Sequence, residues 1–312
     1  MAAVSMREGY GQALAEYGGR NVSLVVLDAD TSSSTMSCLF AKRFPERFLN
    51  IGIAEPCMVD VAAGLASGGK VPFVNGFAAL LSLRALEQIR TSVCYAGRNV
   101  KIVAGYAGLS DYKDGPTHHS ITDIAIMRAL PGMKVIVPAD TTEAAAWVPL
   151  VAECGGPVYL RLSRAATLPV HTQPPCLEIG KGLTLRDGTD VTIVCTGAMV
   201  GRSLLAAEAL AGQGVAARVV EMHTVKPLDA CLVRQCAEQT GAIVTAEEHS
   251  VIGGLGGAVT EVLCSGRPVP VDRVGVNDTF ARTAPDPDTL MDHCGLAVED
   301  VVQAVRNVLS RK

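Results

Sequence analysis

The sequence predicts an α/β protein built from two doubly wound domains. Short apolar runs alternate with longer segments of helical periodicity along most of the chain. Most of these runs are apolar throughout instead of alternating between apolar and polar residues, which is typical of parallel strands covered on both faces. A stretch rich in Pro and Gly interrupts the alternation between residues 165 and 190, and it predicts a boundary between two units.

The first domain is predicted to span residues 1–170. Its strands are expected at the apolar runs 22–27, 71–74, 100–104, 134–137 and 158–160. Its helices are expected between them, at 56–67, 78–95, 121–130 and 142–153. In such a sheet, ligands bind beyond the carboxyl ends of the strands, so polar residues that follow a strand are the first candidates for a site.

A linker is predicted at residues 171–188, where two prolines and several turn residues occur. The second domain is predicted to span residues 189–312. Its strands are expected at 190–195, 217–221, 242–246 and 269–274. Its helices are expected at 200–211, 229–239, 256–264 and 298–309.

Composition excludes several classes of partner. The 312 residues are 49% hydrophobic and 19% charged, with a net charge of −4 at pH 7. No run of Lys and Arg occurs, so neither nucleic acid nor an anionic membrane is an expected partner. No apolar run reaches the roughly 18 residues needed to cross a bilayer. The low charge favours a chain that buries apolar area in a subunit interface.

The cysteines and several histidines have structural explanations. Ten cysteines occur, none in a Cys-x-x-Cys pair, and they are expected to be buried, reduced thiols of a cytoplasmic protein. The first residues lack the basic and then apolar pattern of a secretory signal. His171, His223 and His293 are expected at the surface or at helix ends, and no cluster has the spacing of transition-metal ligands.

Glu55 is the first candidate for chemistry. It follows the apolar run Phe48-Leu-Asn-Ile-Gly-Ile-Ala54 and precedes Pro56, which suits the first turn of a helix. One interpretation is that its carboxylate only complements the helix dipole. The other is that an apolar wall shields the carboxyl group, so that it can share a proton with a ligand nitrogen.

Two further segments follow predicted strands. Phe77 ends the segment Pro72-Phe-Val-Asn-Gly-Phe77, where it is either a core residue or an aromatic face that stacks on a flat heterocycle. The loop at 105–120 holds polar groups that favour catalysis over a simple surface turn. These groups are Tyr106, Asp111, Lys113, Asp114, His118 and His119.

Together these segments resemble the transketolase family along nearly the whole chain. The resemblance rests on Asp28-Ala-Asp-Thr-Ser, Asn50-Ile-Gly-Ile-Ala-Glu55, Asp114-Gly-Pro-Thr-His118, Tyr159-Leu-Arg-Leu-Ser-Arg164, Lys226-Pro-Leu-Asp and Glu247-Glu-His-Ser-Val. It implies a thiamine pyrimidine-binding domain followed by a smaller C-terminal domain. The combination of segments is specific, although no single segment is.

The resemblance implies a role for each candidate on the coenzyme side. Glu55 would hydrogen-bond N1′ of the aminopyrimidine ring of thiamine diphosphate, and Phe77 would stack on that ring. Leu80 and Leu83 stand where related enzymes carry further aromatic residues. Asp30 falls where the family places a carboxylate near the thiazolium. The coenzyme would supply the carbanion chemistry, and the protein would supply orientation and one carboxyl group.

On the substrate side the resemblance implies five contacts. Asp114 and His118 would contact the sugar hydroxyls and carbonyl, with His118 also catalytic. Arg164 would bind the substrate phosphate, a role suited to its fixed fork of donors, and Ser34 would be a second phosphate contact. Tyr106 replaces the histidine that the family usually carries. Its pKa near 10 makes a tyrosine a poor proton shuttle at neutral pH, so the donor is not necessarily an ordinary ketose phosphate.

One expected motif is missing from the sequence. The family binds the coenzyme diphosphate through Mg²⁺ with a Gly-Asp-Gly motif, and no Gly-Asp-Gly occurs here. The resemblance therefore implies that a separate N-terminal subunit holds the diphosphate and the metal, in an α2β2 assembly, and that this chain has no metal ligands.

The expected function is the C-terminal half of a split transketolase that moves a two-carbon ketol unit from a ketose or ketose phosphate to an aldose. Three related activities stay open: a deoxyxylulose-phosphate synthase, the β subunit of a 2-oxo-acid dehydrogenase, and transfer to a lipoyl or carrier protein. A non-catalytic scaffold subunit also stays open, although the presence of Glu55 speaks against it.

Overall fold

The computed structural model describes residues 5–312, which form two sheets flanked by helices. Before the predicted linker the strands are β1 Leu24–Asp28, β2 Phe48–Asn50, β3 Val71–Phe77, β4 Lys101–Gly105, β5 Lys134–Ile136 and β6 Val158–Arg161. The helices there are α1 Met6–Gly18, α2 Ser32–Thr35, α3 Cys38–Arg43, α4 Glu55–Ser67, α5 Leu86–Gln88, α6 Asp123–Ala129 and α7 Thr141–Glu153. A 3-10 turn at Pro45–Arg47 leads into β2.

The rest of the chain alternates strands and helices in the same way. Its strands are β7 Leu183–Arg186, β8 Val191–Cys195, β9 Ala217–Glu221, β10 Thr224–Lys226, β11 Ile243–Ser250 and β12 Val271–Val276. Its helices are α8 Met199–Ala211, α9 Ala230–Thr240, α10 Leu255–Cys264, α11 Pro287–His293 and α12 Val298–Leu309.

The two sheets confirm the predicted fold class. The larger sheet has the strand order β10-β5-β6-β4-β3-β1-β2, and the smaller one has the order β12-β11-β8-β9-β7. Strands β1, β4 and β8 are buried along their full length, as expected for parallel strands with helices on both faces.

Each sheet also has one antiparallel edge strand that the sequence did not indicate. β10 pairs antiparallel with β5, so a strand from the second half of the chain completes the first sheet. β7 pairs antiparallel with β9 and lies inside the range predicted as linker. Both are short and only partly apolar, so they lack the continuous apolar pattern on which the strand predictions rested.

The predicted helix at 78–95 is interrupted. Leu80–Arg84 and Ile89–Tyr95 are π-helical segments on either side of the short α5. A π turn adds a residue to each turn of helix, so positions counted from Phe77 in ordinary helical turns shift around the axis. Leu80, one of the two residues expected where relatives carry aromatic side chains, is half-buried, and Leu83, the other, is 60% exposed.

Two expectations about buried groups were wrong. Only Cys195 and Cys236 among the ten free cysteines are buried, and Cys57, Cys176, Cys231 and Cys264 are exposed. His223 is fully buried, not at the surface, because it packs edge-on against Trp147 with ring centroids 5.1 Å apart. Within residues 5–312 no helix is both long and apolar enough to cross a membrane.

Candidate active site

The predicted site residues gather at one edge of the larger sheet. Strands β2, β1, β3, β4 and β6 are consecutive parallel neighbours, so their carboxyl ends meet at the same edge. The residues that follow or end these strands, in the same order, are Glu55, Asp30, Phe77, Tyr106 and Arg164. This edge is where open α/β sheets bind ligands.

Glu55 is shielded from solvent at the first position of α4. It is followed by Pro56, whose missing N–H costs nothing in the first helical turn, and the carboxylate faces the positive end of the helix dipole. Its side chain is 2% exposed. Arg84, half-exposed on the first π-helical segment, donates from Nη1 to Oε2 of Glu55 at 2.9 Å. The sequence pattern gave no partner for Glu55, so Arg84 was not among the predicted site residues.

Phe77 and Tyr106 form an aromatic platform at the ends of β3 and β4. Their rings are stacked, with centroids 4.2 Å apart and planes inclined by 24°. Tyr106 adopts φ +59°, a left-handed conformation that is unfavourable for a bulky residue and is found mainly where a site constrains the backbone. The His118 ring lies 6.2 Å from that of Phe77.

Two arginines flank Tyr106. The guanidinium carbon of Arg164 lies 4.9 Å from the centroid of the tyrosine ring, and that of Arg7 lies 5.8 Å from it. Arg7 donates from Nη1 to the Tyr106 hydroxyl at 3.3 Å and to the carbonyl of Ser34 at 2.9 Å. No sequence pattern pointed to Arg7, because α1 was not among the predicted helices.

Asp111 lies beneath Arg164. Its carboxylate is fully buried and pairs with Nη1 of Arg164, and its backbone carbonyl contacts Nε2 of His119 at 3.1 Å. Burial and the neighbouring Asp114 raise the pKa of Asp111, while Arg164 acts in the opposite direction. Asp114 itself is exposed.

Asp30, predicted to lie near the thiazolium, is not enclosed by the protein. It is exposed, has φ +63°, and accepts a hydrogen bond from Nδ2 of Asn50 at 3.0 Å. The buried carboxylate at this strand end is instead Asp28, which orders the small hydroxyl residues after β1. Its oxygens accept from Thr35 Oγ1 at 2.9 Å and from Ser37 Oγ at 2.8 Å.

The loop after β4 is anchored to the second sheet. The Leu109 amide donates to Oε1 of Glu248 on β11 at 2.7 Å, and Gly108 pairs with Ser120 across the loop. Gly108 has φ +62°, and a Cβ atom there would lie 2.3 Å from the Glu248 carboxyl carbon. Glycine is therefore required at this position for both conformation and space.

A second group of titratable residues lies on α7, β9 and the segment between the domains. Glu143, His171 and Glu221 present ligand atoms within 4.8 Å of one another, a separation that could accommodate a metal ion. Burial raises the pKa of Glu221 to about 7, and burial lowers that of the adjacent His223 to about 4. Glu143, His171, Glu221 and His223 form the interdomain cluster. They come from three separate segments of the sequence, so no local motif indicates the cluster.

Glu55, Phe77, Tyr106, Arg7 and Arg164 make up the strand-end site, whose groups are chemically suited to a flat heterocycle beside an anion. This site combines a carboxylate shielded from water, an aromatic platform and two arginines. The sequence matches the transketolase pyrimidine-binding domain over residues 2–169 and the transketolase C-terminal domain over residues 180–301. The chain belongs to the transketolase family, as the sequence segments predicted.

Several individual proteins of this family are similar to the chain over nearly its whole length. The chain is 43% identical over 307 residues to the 6-deoxy-6-sulfo-D-fructose transketolase subunit SqwH of Clostridium sp. (strain MSTE9), covering 98% of this chain and 95% of the relative. It is 44% identical over 310 residues to a putative transketolase C-terminal section of Methanocaldococcus jannaschii, covering 98% and 97%. A solved structure described as a split-gene transketolase, inactive beta4 tetramer, superposes with a TM-score of 0.90 at 48% identity, covering 99% of both chains.

Proposed function

We propose that this chain is the C-terminal subunit of a two-subunit, thiamine-diphosphate-dependent transketolase that transfers a two-carbon ketol unit from a ketose or ketose phosphate to an aldose. The observation that carries the proposal is the position of Glu55, a carboxylate 2% exposed at the same sheet edge as the Phe77 platform. Transketolases use thiamine diphosphate, and the family assignment gives the proposal its chemistry.

The residues present fit the aminopyrimidine end of this coenzyme. Arg84 occupies Oε2 of Glu55, whereas Oε1 receives no hydrogen bond from residues 5–312 and is available to a ring nitrogen. Phe77, half-buried, provides the stacking face, and Leu80 contributes an apolar edge. When bound, the coenzyme supplies the carbanion that accepts the ketol unit. Glu55 holds the proton at the ring nitrogen, and the surrounding side chains fix the ring orientation.

A partner subunit holds the diphosphate and Mg²⁺ in this proposal. The sequence has no Gly-Asp-Gly motif, and the metal-ligand group of the interdomain cluster lies on other elements than Glu55. Large apolar side chains near Glu55 and on the π-helical segments face solvent: Ile53 is 75% exposed, Leu83 60% and Tyr95 89%. An apolar face of this kind suits a subunit interface, so we propose an α2β2 assembly with the site between chains.

The substrate occupies the open side of the site. Asp114 and His118 bind its hydroxyl and carbonyl groups, and Arg7 joins Arg164 in binding the anionic end of the donor. Ser34 contributes the carbonyl that positions Arg7. Tyr106 donates hydrogen bonds and stacks, without acting as a general base.

The test is reconstitution with a co-expressed partner chain that carries Gly-Asp-Gly, thiamine diphosphate and Mg²⁺, followed by assay with ketose phosphates, ketoses and pyruvate. Glu55→Gln should lower kcat at least ~100-fold, because it removes the acid that drives the coenzyme, while assembly stays intact. Glu46→Gln is the matched control, since Glu46 is 67% exposed in the same domain.

Three results would contradict the proposal. The first is near-normal turnover by Glu55→Gln, and the second is turnover by this chain without a partner. The third is turnover of pyruvate with release of CO2, and none of any ketose, which would replace transketolase with a decarboxylating ligase.

A further inference from the structure

The anionic end of the proposed site contains a buried negative charge. Asp111 is fully buried directly beside Arg164, and its Oδ1 accepts from Nη1 of that arginine. Oδ2 has no hydrogen-bond partner among residues 5–312. A buried carboxylate oxygen without a partner is costly, so its presence at a ligand-binding arginine calls for an explanation.

The ion pair leaves part of Arg164 available. Within residues 5–312 its Nε and Nη2 donate to no protein acceptor, and its side chain is 27% exposed. It is held by Asp111 on one side and by the Tyr106 ring on another. It can therefore still bind an anion, but part of its charge is already offset by a partner that cannot move into solvent.

The charges of the subsite then add up to about one positive unit. Arg7 and Arg164 contribute two positive charges beside Tyr106, and Asp111 contributes one negative charge. The exposed Asp114 neighbours Asp111 and adds a second negative charge. Lys113 adds a third positive charge, because its Nζ lies 5.5 Å from the centroid of the Tyr112 ring that Arg164 also approaches. A dianion in this subsite would face the buried carboxylate, whereas a monoanion would match the net charge.

We infer that Asp111 is a specificity-determining residue that makes the site prefer donors whose distal group carries one negative charge, such as a sulfonate or a carboxylate, over donors that end in a dianionic phosphate. The inference rests on the proposed function, because it concerns the donor of that same reaction. A purely positioning role for Asp111 would need only an acceptor for Arg164, which an asparagine also offers.

The experiment uses the reconstituted two-subunit enzyme and three ketoses that differ only at the last carbon: a phosphate, a sulfonate and a free hydroxyl. The wild type should show a kcat/KM at least ~10-fold higher for the sulfonate than for the phosphate. Asp111→Asn should shift that ratio toward the phosphate by ~10-fold or more, because it keeps the acceptor for Arg164 and removes the charge. Asp187→Asn, which removes an equal charge at a side chain 91% exposed, should leave the ratio unchanged.

The outcomes separate the two proposals. A wild-type preference for the phosphate, or a ratio that Asp111→Asn leaves unchanged, overturns the inference while the transketolase assignment stands. If none of the three ketoses reacts, the proposed function fails and the inference fails with it. Should Asp111→Asn not fold, the wild-type ratio alone decides.

Discussion

The strand-end site and the interdomain cluster both collect charged side chains beyond strand ends, but they differ in access to solvent. At the strand-end site Arg84 is 49% exposed and Arg164 27% exposed, so donors remain for a ligand. In the interdomain cluster Glu143, Glu221 and His223 are fully buried. The accessible, unpaired donors of the strand-end site indicate ligand binding. The buried groups of the interdomain cluster have raised or lowered pKa values, so their protonation is coupled to the packing of the two domains.

The largest expected effect on stability comes from disrupting the contact between the loop after β4 and Glu248 on the second sheet. It tests whether the strand-end site depends on that contact. Gly108→Ala should destabilise the protein by roughly 3 kcal/mol and displace the loop that carries Asp111, because the added Cβ meets Glu248 and the backbone has φ +62°. Thermal unfolding measures the loss.

The control for that change is Gly64→Ala within α4. Nothing lies within 4 Å of a Cβ atom at Gly64, so the same substitution should gain up to about 1 kcal/mol there. Equal unfolding temperatures for the two variants would show that the loop does not need its contact with Glu248.

The next largest expected effect is a pH-dependent change in stability at the interdomain cluster. The pKa of Glu221 is raised to about 7 in the folded state, so its contribution to stability is present below the unfolded-state value of 4.5 and is lost as pH rises through 7. Glu221→Gln should therefore gain stability relative to the wild type between about pH 5 and pH 7, by roughly 2 kcal/mol. Urea unfolding of both proteins at several pH values measures the difference.

The comparison between variants is needed because His223 acts in the opposite sense. Its pKa is lowered to about 4, so its contribution is lost as pH falls from the ordinary 6.5 through 4, and the two trends partly cancel in the wild type. A difference between wild type and Glu221→Gln that is flat from pH 4 to pH 8 would mean that Glu221 does not bind a proton on folding.

The smallest expected effect is a change in KM caused by a substitution in the strand-end site. Tyr106→Phe removes the hydroxyl that Arg7 binds but keeps the ring that stacks on Phe77. KM for an anionic donor should rise ~3- to 10-fold, with kcat and the unfolding temperature nearly constant, since one hydrogen bond to a charged group is lost. A large drop in kcat at saturating donor would instead give Tyr106 a part in the chemistry.

The fold and much of the strand-end site could be predicted from the sequence for the same reason. Continuous apolar runs identify buried parallel strands, and residues that follow such strands must meet at one edge. That rule alone brings Glu55, Phe77, Tyr106 and Arg164 together, and the strand order agrees with it. Arg84 was missed because its contact with Glu55 joins residues 29 positions apart on two different helical segments, which no local pattern indicates.

The interdomain cluster could not be predicted. Glu143, His171 and Glu221 come from a helix, a connecting segment and a strand that share no local pattern, and only the docking of the two domains brings them within 4.8 Å. β7 and β10 were missed because short antiparallel edge strands have little apolar pattern.

Strand β10 makes the two halves of the chain depend on each other. It belongs by sequence to the second half but completes the sheet of the first through β5. Cutting the chain in the segment between the halves would remove β10 from the first sheet. The edge of β5 would then expose unpaired backbone amides and carbonyls, which can pair with a strand of another molecule. Fragments made at that boundary should therefore aggregate through this edge. A chimera that takes its first half from a relative would also need the β10 segment of that relative.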